Sequence, residues 1–158
     1  MIRVNKILKN SIFCSCIQEI DEAEKERIFC GHNIEHLLSV ARIMQITALE
    51  NNIDINKEII YAAALLHDIG RARAYRLHTD HAAESAEIAS RILEDCDFEK
   101  AEIDEIIYAV LHHNDSEKSS ELCTLLRTAD RLSRSCFACK AYEECNWSEN
   151  KKNKGVTV

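Results

Sequence analysis

Apolar positions recur along this chain with helical rather than strand spacing. Ile34, Leu37, Leu38, Ala41, Met44 and Ala48 form one stripe, and His36, Val40 and Ile43 a second on nearly the opposite side. The pattern predicts a helix over residues 33–50 that is buried on two faces. Asn51-Asn52-Ile53-Asp54 ends it, and Asn56 is suited to cap the next. Residues 57–69 contain Ile59-Ile60-Tyr61-Ala62-Ala63-Ala64-Leu65-Leu66, apolar on every face, which predicts a helix at the centre of the fold. Gly70 is expected to close that helix as a left-handed cap. A polar loop rich in Arg and His should follow, then helices over about 80–94, 100–113 and 120–141. Residues 1–31 read as one or two short, weakly amphipathic helices.

Composition agrees with an all-α class. The 158 residues include no proline and three glycines, too few unusual-φ positions for a turn-rich β-sandwich. The length suits one domain over 1–158, with a Cys-rich extension at 135–158. A formal charge of −7 argues against general nucleic-acid binding or an anionic membrane surface. The basic run Lys151-Lys152-Asn153-Lys154 reads as a solvated tail. The apolar stretch from Ile12 to Ile17 is too short for a signal peptide, and no segment reaches the ~18 apolar residues of a membrane span. A cytoplasmic protein is expected, in which the eight cysteines are thiols or metal ligands rather than disulfides.

The polar residues at apolar positions carry the chemistry. His67 and Asp68 end the most apolar helix, where an unpaired carboxylate is costly and the helix's negative end favours a cation. Imidazole beside carboxylate is a suitable ligand pair for a first-row metal. His113 continues the apolar face set by Ile106 and Val110, whereas His112 does not. Asp130 lies four residues after Leu126, His81 opens its helix, and His36 joins from the preceding stripe. Spacing alone leaves two readings open. Either these groups share a buried ion, or the histidines are hydrogen-bonded core residues and Asp130 is salt-bridged.

The order His36, then His67-Asp68 within Ala-Leu-Leu-His-Asp-Ile-Gly, then Asp130 within Thr-Ala-Asp-Arg-Leu resembles the HD-domain superfamily of metal-dependent phosphohydrolases, over about residues 32–134. The resemblance implies a compact helical bundle in which His36, His67, Asp68 and Asp130 bind one metal. His81 and His113 match positions where two-metal members, diadenosine-polyphosphate hydrolases among them, carry further histidines; they would bind a second metal or substrate. His32, one turn before His36, would stand behind the ligands. Many members have Lys where Arg71 follows Gly70, and Arg can still grip a phosphate bidentately. Arg73 and Arg76 read as surface charges. The implied chemistry is attack of metal-activated water on a nucleotide or other small phosphoester, with one or two divalent Fe, Mn, Co, Ni or Zn ions and Asp68 bridging them or taking a proton. Segments 71–80 and 114–119 should border the pocket. The same ligands would suit a di-iron oxygenase on this fold, or a sensor that binds without turnover.

Cys136-x-x-Cys139-x5-Cys145 lies just beyond Asp130, and Cys30 lies just before His32. If the fold brings residue 30 near residue 140, these four could hold zinc or an iron–sulfur cluster; otherwise they are free thiols. This stretch resembles the tail of a bacterial subgroup of the same superfamily. Cys14, Cys16, Cys96 and Cys123 have weaker claims.

Overall fold

The apolar segment after Asn56 forms the axis of the structure, a computed structural model that describes residues 1–115, 117 and 120–157. Its helices are α1 (Ile2–Ile7), α2 (Ser11–Ala23), α3 (Ile34–Glu50), α4 (Lys57–Leu66), α5 (Arg71–Leu77), α6 (His81–Asp95), α7 (Lys100–His112) and α8 (Glu121–Leu132), followed by a 3₁₀ turn at Cys136–Ala138. No strand occurs among the described residues. Ile59, Ile60, Ala62, Ala63, Ala64, Leu65 and Leu66 of α4 are all buried. Around α4 pack α1, α3, α6, α7 and α8. The alanines let these neighbours approach closely, and Leu65, Leu66 and Ile60 fill the space between them. On α3 both stripes are buried, Leu37, Ala41, Met44 and Ala48 with His36 and Val40. Helix starts follow the local signals: Asn33, Asn56, Asp80 and Ser120 each accept hydrogen bonds from first-turn backbone N–H groups.

Four local expectations are corrected. Gly70 is not left-handed; its φ is −87° and it begins α5. A Cβ there would stand 2.4 Å from the Ser85 nitrogen and 2.6 Å from the Glu84 carbonyl carbon, so the glycine serves close approach to α6. Its N–H donates to Ser85 Oγ at 2.9 Å. Residues 71–77 form helix rather than loop, because Ala72 and Ala74 are buried and Arg71 turns inward to Asp68 while Arg73 and Arg76 reach outward. The left-handed residue is His78, which ends α5 with φ 55°. Finally, α8 stops at Leu132 instead of continuing to 141. Ser133 Oγ donates back to the Asp130 carbonyl at 2.6 Å, and Asn153 donates to the carbonyls of Arg131 and Arg134 at 2.7 and 2.8 Å. The basic tail is therefore docked, its Asn153 adding a donor to carbonyls at and just beyond the helix end.

Among the described residues no helix is long and apolar enough to cross a membrane. The Gly70 contact makes a prediction. Gly70→Ala should push α6 from α5 and destabilise the fold by about 1–3 kcal/mol, a fall in Tm of roughly 2–12 °C by calorimetry. Gly155→Ala, where nothing lies within 4 Å of the added carbon, should leave Tm unchanged.

Candidate metal centre

Two helix ends set the imidazoles. The last carbonyls of a helix have no intrahelical donor, and a histidine one turn further on can supply one. His67, just past α4, has Nδ1 2.8 Å from the Ala64 carbonyl; His113, just past α7, has Nδ1 2.7 Å from that of Val110. Donation from Nδ1 leaves the Nε2 lone pair of each ring directed inward, the form in which imidazole binds a metal. His36 is set differently. Ser133 gives its hydroxyl proton to the Asp130 carbonyl, so its oxygen accepts from His36 Nδ1 at 3.2 Å. His36 Nε2 then has a lone pair only 3.2 Å from Asp130 Oδ1, a contact that needs a positive charge nearby. Arg134 supplies part of it, with Nη2 3.0 Å from both atoms.

Asp68 stands at the junction of these groups. Its Oδ2 lies 3.1 Å from His67 Nε2 and 3.9 Å from His36 Nε2; its Oδ1 lies 2.9 Å from Arg71 Nε and 3.5 Å from His81 Nε2. The residue is 1% exposed, yet among the described residues neither oxygen has a partner in hydrogen-bond geometry, and neither does His67 Nε2. Such a carboxylate costs on the order of several kcal/mol to bury unless cations compensate it. One ligand atom each from His36, His67, Asp68 and Asp130 lie within 4.8 Å of one another, and so do those of Asp68, His81 and His113. These residues could hold two ions that share Asp68, and the orphaned buried atoms fit that use. From His32 through His36, His67 and His113 to His81, successive ring centroids are 5.7, 5.6, 5.3 and 5.5 Å apart.

The electrostatics agree. Burial lowers His36 and His113 to about 4, keeping both rings neutral. Burial opposes charge on His67 too, but Asp68 and Asp130 outweigh it and hold that imidazole at about 10, so its Nε2 carries a proton at neutral pH that a bound ion would displace. Burial would likewise raise Asp68 and Asp130, yet the neighbouring imidazoles and arginines hold both carboxyls well below the usual range. The pocket centre thus attracts positive charge.

A family model for the HD domain matches residues 33–135. The chain belongs to the HD domain family. A protein of Clostridium beijerinckii, described as uncharacterized, is 42% identical over 153 residues, 97% of each chain. Ribonuclease Y of Mycoplasma mycoides is 36% identical over 113 residues, 70% of this chain but 24% of the ribonuclease. The crystal structure of a predicted HD superfamily hydrolase from an uncultured Thermotogales bacterium superposes with a TM-score of 0.65 at 26% identity, covering 88% of this chain and 80% of that one.

In this HD domain the fold gathers His36, His67, Asp68, His81, His113 and Asp130 from five separate helices or helix ends. His32 stays behind them: its Nε2 is 3.9 Å from Asp68, and its backbone and Nδ1 are held by Glu24 at 2.8 and 2.6 Å. Glu24 also accepts from Tyr75 at 2.6 Å; burial opposes its ionisation, but His32 and Tyr75 bring it down to about 2. A cavity of about 410 Å³ opens beside the centre and is lined by His32, Arg71, Asn114, Asp130 and Arg134, as well as by Cys30, Cys136, Cys139 and Cys145. Arg73 and Arg76 are engaged with Glu84, Glu87 and Glu19, as surface charges would be. Of the expected border 114–119, Asn114 lines the cavity and donates to His81 Nε2 at 3.2 Å; residues 116, 118 and 119 lie outside the described residues. Sequence reasoning missed Arg134 and Glu24. Arg134 had a weak signal, standing one helical turn after Asp130; Glu24, in a different segment from its partners, had none.

The shared carboxylate separates the two ligand groups experimentally. Asp68→Asn should weaken divalent-metal binding in both, by more than the 10–100-fold typical of losing an outer partner. His113→Ala should lower only the second equivalent. Titration of the apoprotein with Mn²⁺ or Co²⁺ reads both, and equal binding by wild type and Asp68→Asn would exclude Asp68 as the shared ligand.

Proposed function

We propose that this chain is a metal-dependent phosphohydrolase that cleaves a small phosphoester by attack of water, with His36, His67, Asp68 and Asp130 holding one metal and His81, His113 and Asp68 a second. The observation that carries this reading is the fully buried Asp68 carboxylate, whose two oxygens face two different ligand groups. A bound divalent ion supplies the chemistry a phosphoester needs, lowering the pKa of water and withdrawing charge from a phosphoryl oxygen. The name of the Thermotogales relative, a predicted HD superfamily hydrolase, supports the same reaction class.

The protein's own groups have separable duties. Asp68, with both oxygens directed at ligand groups, serves as the bridging carboxylate rather than as a proton acceptor. The helix-end carbonyls of Ala64 and Val110 keep His67 and His113 in the ligating tautomer. Arg71 and Arg134 flank the two carboxylates on the cavity wall, where a planar guanidinium can grip phosphate oxygens. Asn114 occupies His81 Nε2 at the rim and would yield that lone pair to a second ion. A small phosphorylated molecule is the substrate this site favours, held in the part of the cavity lined by His32, Arg71, Asn114 and Asp130. The likeness to ribonuclease Y over 24% of that protein's length makes a short oligoribonucleotide a fair member of the test set.

The test is a screen of nucleotides, phosphorylated metabolites and short oligoribonucleotides with Mn²⁺, Co²⁺, Ni²⁺ and Fe²⁺, together with metal analysis of the protein as isolated. Phosphate release should fall on the order of 10²-fold or more in His67→Ala and Asp68→Ala, the loss of several kcal/mol of charge stabilisation. Arg71→Lys should raise KM more than it lowers kcat, because a bidentate grip is lost. Undiminished turnover in both His67→Ala and Asp68→Ala would overturn the proposal, as would iron-dependent dioxygen consumption with no hydrolysis.

A further inference from the structure

Residues 133–157 have too small a core to be ordered by packing. Their buried positions are Arg134, Cys136, Ala141 and Asn153, so two small side chains supply the fully buried apolar surface. Fixing a backbone costs roughly 1–2 kcal/mol per residue, and segments this poor in core are usually held by a disulfide or a metal. Cys30, Cys136, Cys139 and Cys145 form no disulfide. These four of the eight cysteines nevertheless line one cavity, Cys30 arriving from the loop before α3 and Cys136, Cys139 and Cys145 from beyond α8. One hydrogen bond ties the two segments together, Arg134 Nη1 donating to the Gly31 carbonyl at 2.8 Å, and within the loop Arg27 Nε donates to the Cys30 carbonyl at 3.0 Å.

We propose that Cys30, Cys136, Cys139 and Cys145 bind an iron–sulfur cluster, a thiolate site separate from the imidazole–carboxylate centre. Four cysteines are the complete ligand set of such a cluster, and Cys-x-x-Cys is a recurrent part of it. The cavity suits the negative charge of a thiolate-bound cluster, since Arg27, Arg134 and Lys152 line it too. Burial raises the Cys30 thiol, Arg134 opposes this, and Cys139, Cys136 and Cys145 each add to the rise, as thiols within electrostatic reach must. The sulfurs are not gathered as one zinc ion would gather them. A tetrahedral zinc about 2.3 Å from each sulfur would bring the four sulfurs to about 3.8 Å from one another. Among the described residues no set of three containing these cysteines has its ligand atoms within 4.8 Å. Thiolates bound to different irons stand further apart. The cluster would staple the C-terminal segment to the loop before α3, in the wall of the cavity that Arg71 and Asn114 also line.

The full chain, purified anaerobically or reconstituted with ferric iron, sulfide and a thiol reductant, should contain acid-labile sulfide and absorb in the visible. Cys139→Ser and Cys30→Ser should lose both signals while keeping their helical circular dichroism. Cys30 lies outside the weakly packed segment, so its variant separates ligand loss from unfolding. Cys14→Ser, at an exposed position, should keep both signals. His67→Ala should keep its sulfide as well, so failure of the phosphohydrolase reading would leave this site standing, and the reverse. Absence of labile sulfide after reconstitution overturns the proposal, as does equal sulfide in wild type and the Cys30 and Cys139 variants. Stoichiometric zinc without sulfide overturns it too.

Discussion

A carboxylate buried at the end of the most apolar helix constrains the rest of this structure. Asp68 sits where the backbone of α4 ends in unpaired carbonyls, so its own charge adds to the helix's negative end. Burying it is tolerable only if positive or proton-donating groups converge from other elements. Arg71 of α5 and Arg134 just beyond α8 do so, while α3, α6 and the end of α7 bring the neutral imidazoles of His36, His81 and His113 and α8 brings a second carboxylate, Asp130, a set that a cation would complete. The tight seam between Gly70 and α6 belongs to the same arrangement, because a side chain at residue 70 would move the helix that carries His81.

The imidazoles are positioned by economical means. His67 and His113 each take the orienting acceptor from their own helix end, so the same feature that terminates the helix selects the tautomer. This needs no dedicated second residue and tolerates change elsewhere in the chain. His36 depends instead on Ser133, and Ser133 on the carbonyl of Asp130. Those two ligands are thereby coupled: the turn that ends α8 also aims the ring on α3. The stop at Leu132 is therefore functional geometry as well as helix termination.

That stop marks the limit of what the sequence discloses. The all-round apolar character of α4 and the two stripes of α3 are properties of short windows, and both appear in the structure as read. So do the inward positions of His36, His67, His113 and Asp130, because each continues or ends a helical stripe. Gly70 was misread because a left-handed cap and a close backbone approach both ask for the smallest residue; only the position of α6 distinguishes them. The helix at 71–77 was hidden by its arginines, which suggest a loop until Ala72 and Ala74 are seen to be buried. The end of α8 depends on Asn153, some 20 residues later, and the setting of His32 on Glu24. Contacts over such separations leave no periodic trace.

The acidic balance of the chain and the anionic substrate proposed for it are compatible because they act over different distances. At physiological ionic strength a surface charge is felt over roughly 8 Å, so a net charge of −7 governs encounters with long polyanions more than events inside a cavity. Within the cavity the balance reverses: Arg27, Arg71, Arg134 and Lys152 face it together, against the single carboxylate of Asp130. A small phosphoester that enters meets this local field, whereas an extended nucleic acid must also lie across the acidic exterior. The same helical frame also forms part of a protein named for RNA cleavage, over 24% of that protein's length.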